Sequence, residues 1–157
     1  MGRSPASELT SVAQLRQHLR TIVGEALSAV NAGGLVRRAL TSEIADLLRR
    51  AKTVDAIAAG KAASAMLTAF AAETDVTVRT MLGVGPRGAA IETSLPGGAV
   101  WCDAGHPLPD AGSLEGARRA LEIAANADKD DVLVVLLSGG GSALMALPAP
   151  GITLEAK

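Results

Sequence analysis

The chain has 157 residues, a formal net charge of −1 and two aromatic side chains, Phe70 and Trp101. This charge balance excludes a general nucleic-acid surface, and no apolar run is long enough to span a membrane. The lone Cys102 excludes an internal disulfide, so we expect a reducing, cytoplasmic location. A core built from Ala, Val, Leu and Ile favours helices packed closely on a sheet.

Helices are predicted first, and strands then alternate with helices. Residues 1–6 are expected to be a disordered lead, and Gly33-Gly34 is expected to end the first helix. Apolar residues at three- and four-residue spacing predict helices, and short apolar runs predict strands. The predicted helices cover 7–31, 35–51 (with a break), 61–73 and 111–127, and the predicted strands cover 54–59, 76–84, 100–104 and 132–137.

This alternation predicts right-handed βαβ units and a mostly parallel sheet. The expected fold class is α/β, a Rossmann-like sheet flanked by helices. The helix over 111–127, capped by Asp110, is expected to cover one face of the sheet, and the N-terminal helices part of the other. The inner face predicted for the helix over 111–127 consists of Leu114, Ala117, Leu121 and Ala124.

The apolar run over 132–137 predicts a strand buried on both faces, because nothing polar interrupts it. It leads directly into Ser138, Gly139, Gly140, Gly141 and Ser142, which we call the glycine loop. Glycines let the backbone approach a ligand closely, and bare N–H groups suit a phosphate or carboxylate. At the carboxyl end of a buried strand, such a loop predicts a ligand site.

A second candidate is Gly60-Lys61, at the point where the strand over 54–59 turns into its helix. A lysine at a helix N-terminus is electrostatically unfavourable, and most such lysines are simply solvated. This strand should end at the same sheet edge as the glycine loop, however. Lys61, the helix N-terminus and the glycine loop together therefore predict an anion site.

Three other patterns carry weaker signals. The residues from Gly83 to Gly88 match the dinucleotide fingerprint G-x-G-x-x-G, with Asp103 at the distance of a ribose-binding acid. The fingerprint needs a helix opening at the loop, whereas 85–98 is rich in Gly and Pro, with at most a short piece at 89–93, so the match is interpreted as chance. His106 is most simply a polar turn residue, and without a second nearby His or a partner for Cys102 no zinc or other metal site is predicted.

Four segments together resemble a known family. They are Ala58 to Ala63, Ala104 to Asp110, Leu137 to Leu144 and Pro148 to Glu155. In order and spacing they resemble the N-terminal domain of class II glycerate kinases, two-domain enzymes with a C-terminal MOFRL domain. Some members carry the label hydroxypyruvate reductase. Residues 7–157 are therefore interpreted as an incomplete N-terminal portion of a larger two-domain protein, which also fits the pattern of a helix start at 153–157.

The resemblance implies phosphorylation of D-glycerate with ATP and Mg²⁺, in bacteria usually at the 2-hydroxyl. By position, Lys61 matches a lysine associated with the family's active site, and residues 138–142 match its glycine-rich ligand loop. Gly60 lies beside that lysine, and His106 falls in the family's Gly-His-Pro turn, whose role stays unassigned.

Two alternatives remain open. One is an NAD(P)H-dependent hydroxypyruvate reductase that uses the loop from Gly83 to Gly88. The other is a catalytically inactive fragment that binds small anions. For the chain alone we expect marginal stability or self-association, because an uncovered apolar sheet surface is an interaction liability.

Overall fold

Four parallel strands form one sheet in the computed structural model, which describes residues 11–87 and 95–156. The strands are β1 (Val54–Ala59), β2 (Val78–Pro86), β3 (Val100–Ala104) and β4 (Val132–Leu137). Their order is β3-β2-β1-β4, and every pairing is parallel. The α/β class and the parallel sheet are confirmed, whereas the predicted lead over 1–6 and the short piece over 89–93 lie outside the described residues.

Helices pack on both faces of this sheet. The longer ones are α1 (Val12–Ala29), α2 (Ala32–Ala39), α3 (Ser42–Arg50), α4 (Ala63–Glu73) and α5 (Ala111–Ala125), and the single turn α6 (Gly141–Leu144) follows β4. The two faces of β1 belong to different cores: Ala56 and Ala58 pack with α2, α3 and α4, and Ile57 and Ala59 pack with residues of α5 and α6. No helix in the described ranges has both the length and the apolar character needed to cross a bilayer.

The N-terminal helices differ from the prediction in two respects. Gly33-Gly34 does not end the first helix but lies inside α2, because the side chain of Asn31 accepts the Gly34 N–H (3.1 Å) and starts a new helix there. A Cβ at Gly33 would lie 3.4 Å from Ala69 Cβ, an ordinary contact distance, so α2 packs directly on α4 at this point. In addition, α1 buries none of its residues and covers neither face of the sheet. The predicted break in the helix over 35–51 is confirmed.

The buried face of α5 also differs from the prediction. Asp110 caps the helix as expected, and Ala117 faces the sheet, but Leu121 is 57% exposed. The buried residues of α5 are Ser113, Gly116, Ala117 and Ala120. A Cβ at Gly116 would lie 2.8 Å from Val84 Cγ1, so the helix is too close to the sheet for large side chains between them. Small residues, not leucines, therefore form the interface.

The strand β4 lies at an edge of the sheet and is not buried on both faces. Among the described residues it pairs with β1 only, and α5 lies over β2 and β3 instead. Val135 is 48% exposed and Leu137 is 64% exposed. The expectation of burial on both faces is therefore wrong for the part of the chain that the structure describes, and an apolar strand edge remains uncovered.

An ion-pair cluster joins three strands at the amino end of the sheet. Asp55 in β1 is 1% exposed, and its carboxylate accepts two hydrogen bonds from the Arg79 guanidinium of β2, at 3.1 and 2.5 Å. Arg79 also lies 3.6 Å from Asp131, next to β4. The Asp128 N–H, donating at 3.0 Å, is the main cause that lowers the pKa of Asp131, and Arg79 adds to it. The sequence analysis did not identify this cluster.

Asp110 also carries a charge interaction at the start of α5. Its Oδ1 accepts the N–H groups of Gly105 (2.9 Å) and Ser113 (3.1 Å), and its Oδ2 accepts from the Arg87 guanidinium. Partial burial raises the pKa of Asp110, but the Arg87 and backbone hydrogen bonds outweigh it and lower the pKa to about 2. The carboxylate therefore stays ionised down to strongly acidic pH.

Substitution of Arg79 should destabilise the fold far more than loss of a surface arginine. Arg79→Leu leaves Asp55 buried without its charge partner, and we expect a loss of about 2 kcal/mol, below the ~3–5 kcal/mol of fully buried pairs because Arg79 is partly exposed. The matched control is Arg119→Leu, which removes an exposed pair with Glu115 and should cost less than about 0.5 kcal/mol. Urea unfolding followed by circular dichroism measures both, and equal losses would contradict the structural role of Arg79.

Asp110 should make stability depend on pH in the acidic range. A carboxyl group with a lowered folded-state pKa stabilises the fold above its unfolded pKa of about 3.9, and this contribution disappears as the pH falls to about 2. Asp110→Asn keeps a capping oxygen but removes the charge, so it should cost about 1 kcal/mol at pH 7 and almost nothing at pH 2. Thermal unfolding at both pH values tests this; a constant difference would argue against the charge interaction.

The uncovered edge of β4 should make the 157-residue chain self-associate at micromolar concentration. Val135→Lys places a charge on that edge and should shift the chain towards monomer. Leu121→Lys introduces the same charge at an exposed site on α5 and should leave association unchanged. Sedimentation velocity at several concentrations distinguishes these outcomes, and a monomeric wild-type chain with a sharp cooperative melt would show that the edge is harmless.

Candidate functional site

Three loops meet at the carboxyl edge of the sheet. They connect β1 to α4, β3 to α5, and β4 to α6, and they carry Lys61, His106 and the glycine loop respectively. Parallel sheets bind ligands at this edge, because every strand ends there and each connection passes over it. The sequence analysis predicted that Lys61 and the glycine loop would share this edge, and the structure shows that they do.

The β1–α4 loop and the glycine loop are in direct contact at Gly60. This residue has a φ of +121°, which side chains other than glycine rarely allow. A Cβ at Gly60 would also fall 2.2 Å from Ser138 Oγ and 2.6 Å from the Ser138 carbonyl oxygen. Gly60 is thus required twice, for its backbone conformation and for the space that Ser138 occupies.

Hydrogen bonds fix the position of Lys61 relative to the glycine loop. The Lys61 N–H donates to the Gly139 carbonyl (2.9 Å), and the Ala62 N–H donates to Ser138 Oγ (3.0 Å). The Ser138 N–H in turn donates to the Ala59 carbonyl (3.0 Å). The Lys61 side chain is exposed, and no acidic side chain in residues 11–87 or 95–156 forms an ion pair with it. Its ammonium group therefore contributes uncompensated positive charge to this edge.

The glycine loop offers backbone donors beside Lys61. Gly140 has a φ of +90°, and the Gly141 N–H donates to the Ser138 carbonyl (3.3 Å), which turns the chain into α6. The N–H groups of Gly139 and Gly140 donate to no acceptor within the described part of the chain. Two backbone donors next to a lysine form an arrangement that can bind an anionic oxygen.

His106 reaches the same loop from the far side of the sheet. A Cβ at Gly140 would lie 3.0 Å from His106 Cδ2 and 3.1 Å from its Nε2, so the imidazole lies against the glycine. This contact arises because the chain after β4 runs back over the sheet edge: Leu144 is buried in the α5 core, and the Ala146 N–H donates to the Ser113 carbonyl (3.3 Å). Sequence reasoning gave His106 no such neighbour.

A cleft of about 500 Å³ opens beside the glycine loop. Its walls are the turn that follows His106, the first turn of α6 with Ser142, and the segment near the end of the described chain; the residues are 107–109, 142–143 and 154–155. Ser142 is exposed in this wall, next to the loop donors. The structure therefore brings the predicted site residues to one edge of the sheet, and among them Ser142 lines the cleft.

The ion pair between Arg87 and Asp110 stabilises the turn that contains His106. The Arg87 N–H donates to the Ala104 carbonyl (3.0 Å), while its guanidinium bonds to Asp110 on the other side of the turn. Asp110 also holds the Gly105 N–H, where a Cβ would meet the Leu108 carbonyl at 2.4 Å. Sequence reasoning missed the role of Arg87, because nothing local to it points to a partner 23 positions away.

The glycines that match the dinucleotide fingerprint do not lie in the context that the fingerprint requires, and Gly88 lies outside the described residues. Gly83 and Gly85 are inside β2, not in a loop that opens a helix. A Cβ at either position would lie 2.4 Å from the indole of Trp101 on the neighbouring strand, so both glycines make room for that ring. Asp103 accepts the Trp101 Nε1–H at 3.1 Å. This geometry supports the interpretation of the match as chance.

Cys102 lies in β3 and is buried in the core under α5. Burial is the main cause that raises the pKa of its thiol, while Arg119 acts in the opposite direction. A raised pKa keeps the thiol protonated near neutral pH, so Cys102 has the environment of a core residue.

Comparisons with known proteins show similarity to glycerate kinases in sequence and fold. The chain is 35% identical over 143 residues to the glycerate 2-kinase of Pyrococcus horikoshii, which covers 85% of this chain and 31% of the relative. A 55-residue stretch is 44% identical to a putative hydroxypyruvate reductase of Agrobacterium vitis, over 35% of this chain and 14% of the relative. The solved structure of a glycerate kinase from Thermotoga maritima superimposes with a TM-score of 0.73 at 31% identity, over 91% of this chain and 33% of that one.

The chain spans about a third of the length of the glycerate kinases it matches. Residues 18–157 match the family described as "Domain of unknown function (DUF4147)". That match includes the whole sheet and all three loops of the candidate site, and the chain therefore belongs to the DUF4147 family.

Proposed function

We propose that this chain is the N-terminal part of a glycerate kinase that transfers a phosphoryl group from ATP to D-glycerate. One observation carries the proposal: the exposed Lys61 is hydrogen-bonded through its backbone to a glycine loop with two available N–H donors. The names of the relatives from Pyrococcus horikoshii and Thermotoga maritima support the substrate. By the same analogy, residues 7–157 would belong to the α/β domain and be followed by a MOFRL domain.

Phosphoryl transfer needs positioning and charge stabilisation more than covalent chemistry by the protein. An oxygen of a glycerate hydroxyl, taken as the 2-hydroxyl, bonds to the γ-phosphorus while the bond to the bridging oxygen breaks and ADP leaves, and the hydroxyl proton passes to water. Lys61 would neutralise negative charge on the transferring group or on the glycerate carboxylate. The N–H groups of Gly139 and Gly140 would hold an anionic oxygen of the same ligand, and Ser142 could add a hydrogen bond.

His106 and Gly60 would have supporting roles at this site. The imidazole lies against Gly140, and the turn that follows it, residues 107–109, forms one wall of the cleft. Gly60 lets Lys61 approach the loop. We assign no general base. The structure does not define the distance from any carboxylate or imidazole of the described residues to the glycerate hydroxyl.

ATP is expected to arrive with Mg²⁺, which when bound would neutralise phosphate charge. In residues 11–87 and 95–156, no group of three or more His, Cys, Asp or Glu side chains is arranged to hold a metal. Lys61 and the N–H groups of the glycine loop suit anionic phosphates, and the described residues supply no metal ligand set of their own.

The surroundings of the reaction follow from the same proposal. The partner is a small molecule, D-glycerate, and the net charge of −1 gives no reason to expect nucleic acid or a membrane surface as a partner. The cytoplasm is the proposed location, because the lone buried Cys102 suits a reducing compartment. An inactive fragment remains the alternative for the chain when it is produced alone.

Replacement of Lys61 should abolish most of the kinase activity. We expect Lys61→Met to lower kcat for ADP release with D-glycerate by at least about 100-fold, the typical effect of removing one transition-state charge partner. The matched control is Lys52→Met, which removes an exposed lysine that pairs with Asp128 at the opposite end of the sheet. Its rate should stay within about two-fold of the wild type.

The assay should use the longest protein that carries these residues, with ADP release measured with and without glycerate. An unchanged rate in Lys61→Met would remove Lys61 from the proposed role. The same preparations are mixed with NADH and hydroxypyruvate. If NADH oxidation rises in proportion to protein concentration and no glycerate-dependent ADP release is found, the proposed kinase activity is wrong and the reductase activity is supported.

A further inference from the structure

Ser138 was predicted as a ligand-binding residue, but its hydroxyl has a different partner in the structure. Ser138 Oγ accepts the N–H of Ala62, which is 76 residues away in sequence and lies at the start of α4. The same oxygen is the atom that a Cβ at Gly60 would meet at 2.2 Å. The hydroxyl is therefore packed against the β1–α4 loop on both sides of Lys61.

The need for this oxygen follows from the local sequence. Ala62 is the N-cap of α4, and its methyl side chain forms no capping hydrogen bond. Most helices receive an oxygen for this purpose from a residue of their own chain segment, such as Ser or Asp. Here the oxygen that holds the start of α4 comes from another strand, so the start of α4 and the end of β4 are joined through one serine.

We propose that Ser138 is a positioning residue for Lys61, and that it acts through the Ala62 N–H and the Gly60 contact and not by binding the ligand. The Ala62 N–H bond and the Lys61 N–H bond to Gly139 hold two successive residues of the loop. Loss of the first leaves Lys61 with a single anchor. The ammonium group then samples a wider range of positions, and small misplacements of a charge partner reduce the rate of group transfer.

The structural half of this proposal is tested without any activity. In Ser138→Ala, amide hydrogen exchange at Ala62 should become about five-fold faster, the factor that corresponds to loss of one ordinary hydrogen bond. Ser138→Thr keeps the hydroxyl and should restore slow exchange. The control is Ser28→Ala, at an exposed serine of α1, which should leave Ala62 unchanged. Unchanged exchange in Ser138→Ala would overturn the proposal.

The functional half rests on the proposed kinase activity and uses a double-mutant cycle in the full-length protein. Ser138→Ala should lower kcat about ten-fold with KM for glycerate within two-fold of the wild type. In the Lys61→Met background, the same change should alter kcat less than two-fold, because Ser138 acts through Lys61. Equal losses in both backgrounds, or a loss confined to KM, would show direct ligand binding by Ser138 and overturn the proposal.

The two halves also separate this inference from the proposed function. If the wild-type protein releases no ADP in the presence of glycerate, the proposed function fails, and the exchange measurement at Ala62 alone decides the positioning role. If ADP release is present and Ala62 exchange does not respond to Ser138→Ala, the kinase stands and the positioning role is wrong.

Discussion

The close approach of Gly60 to Ser138 is the constraint on which the carboxyl edge of the sheet depends. β1 and β4 pair in register from Val54 with Val132 to Ala59 with Leu137, so both strands end at the same level. The residues that follow are pressed against each other with no room for a Cβ. The β1–α4 loop and the glycine loop therefore start from one point of contact. This contact holds Lys61 close to the N–H groups of Gly139 and Gly140 and needs no interaction of the Lys61 side chain.

Small residues also form the interfaces between the helices and the sheet. Every residue of β1 is buried, and three of its six residues are alanines. Gly116 brings α5 against β2, since a Cβ there would lie 2.8 Å from Val84 Cγ1. With so few aromatic side chains, the core gains its contacts from short distances between backbones, since dispersion weakens steeply across even small gaps. Substitutions to larger residues on these faces would separate whole elements.

Local patterns in the sequence were sufficient to predict the strands and most of the helices, although not the helix boundary near Gly33. They were insufficient for features that depend on distances between elements. Strands and their parallel arrangement follow from apolar runs between helices, and a shared edge for Lys61 and the glycine loop follows from parallel strands. The buried face of α5 could not be derived, because hydrophobicity favours Leu121 inward and only the helix–sheet distance excludes it. Contacts such as Arg79 with Asp55, or His106 with Gly140, join residues far apart in the chain, and no periodicity records them.

Trp101 lies across Gly83 and Gly85, and it has a consequence for how the molecule can be observed. The chain has one Trp and no Tyr, so its near-ultraviolet emission has a single source. That source lies on β3, at the opposite edge of the sheet from β4, and its indole nitrogen is hydrogen-bonded to Asp103. Separation of β3 from β2 would hydrate the ring and shift its emission to longer wavelength. A structural change or an association at the β4 edge would leave the emission wavelength of Trp101 unchanged. Tryptophan fluorescence can therefore distinguish changes at the two edges of the sheet in the unlabelled protein.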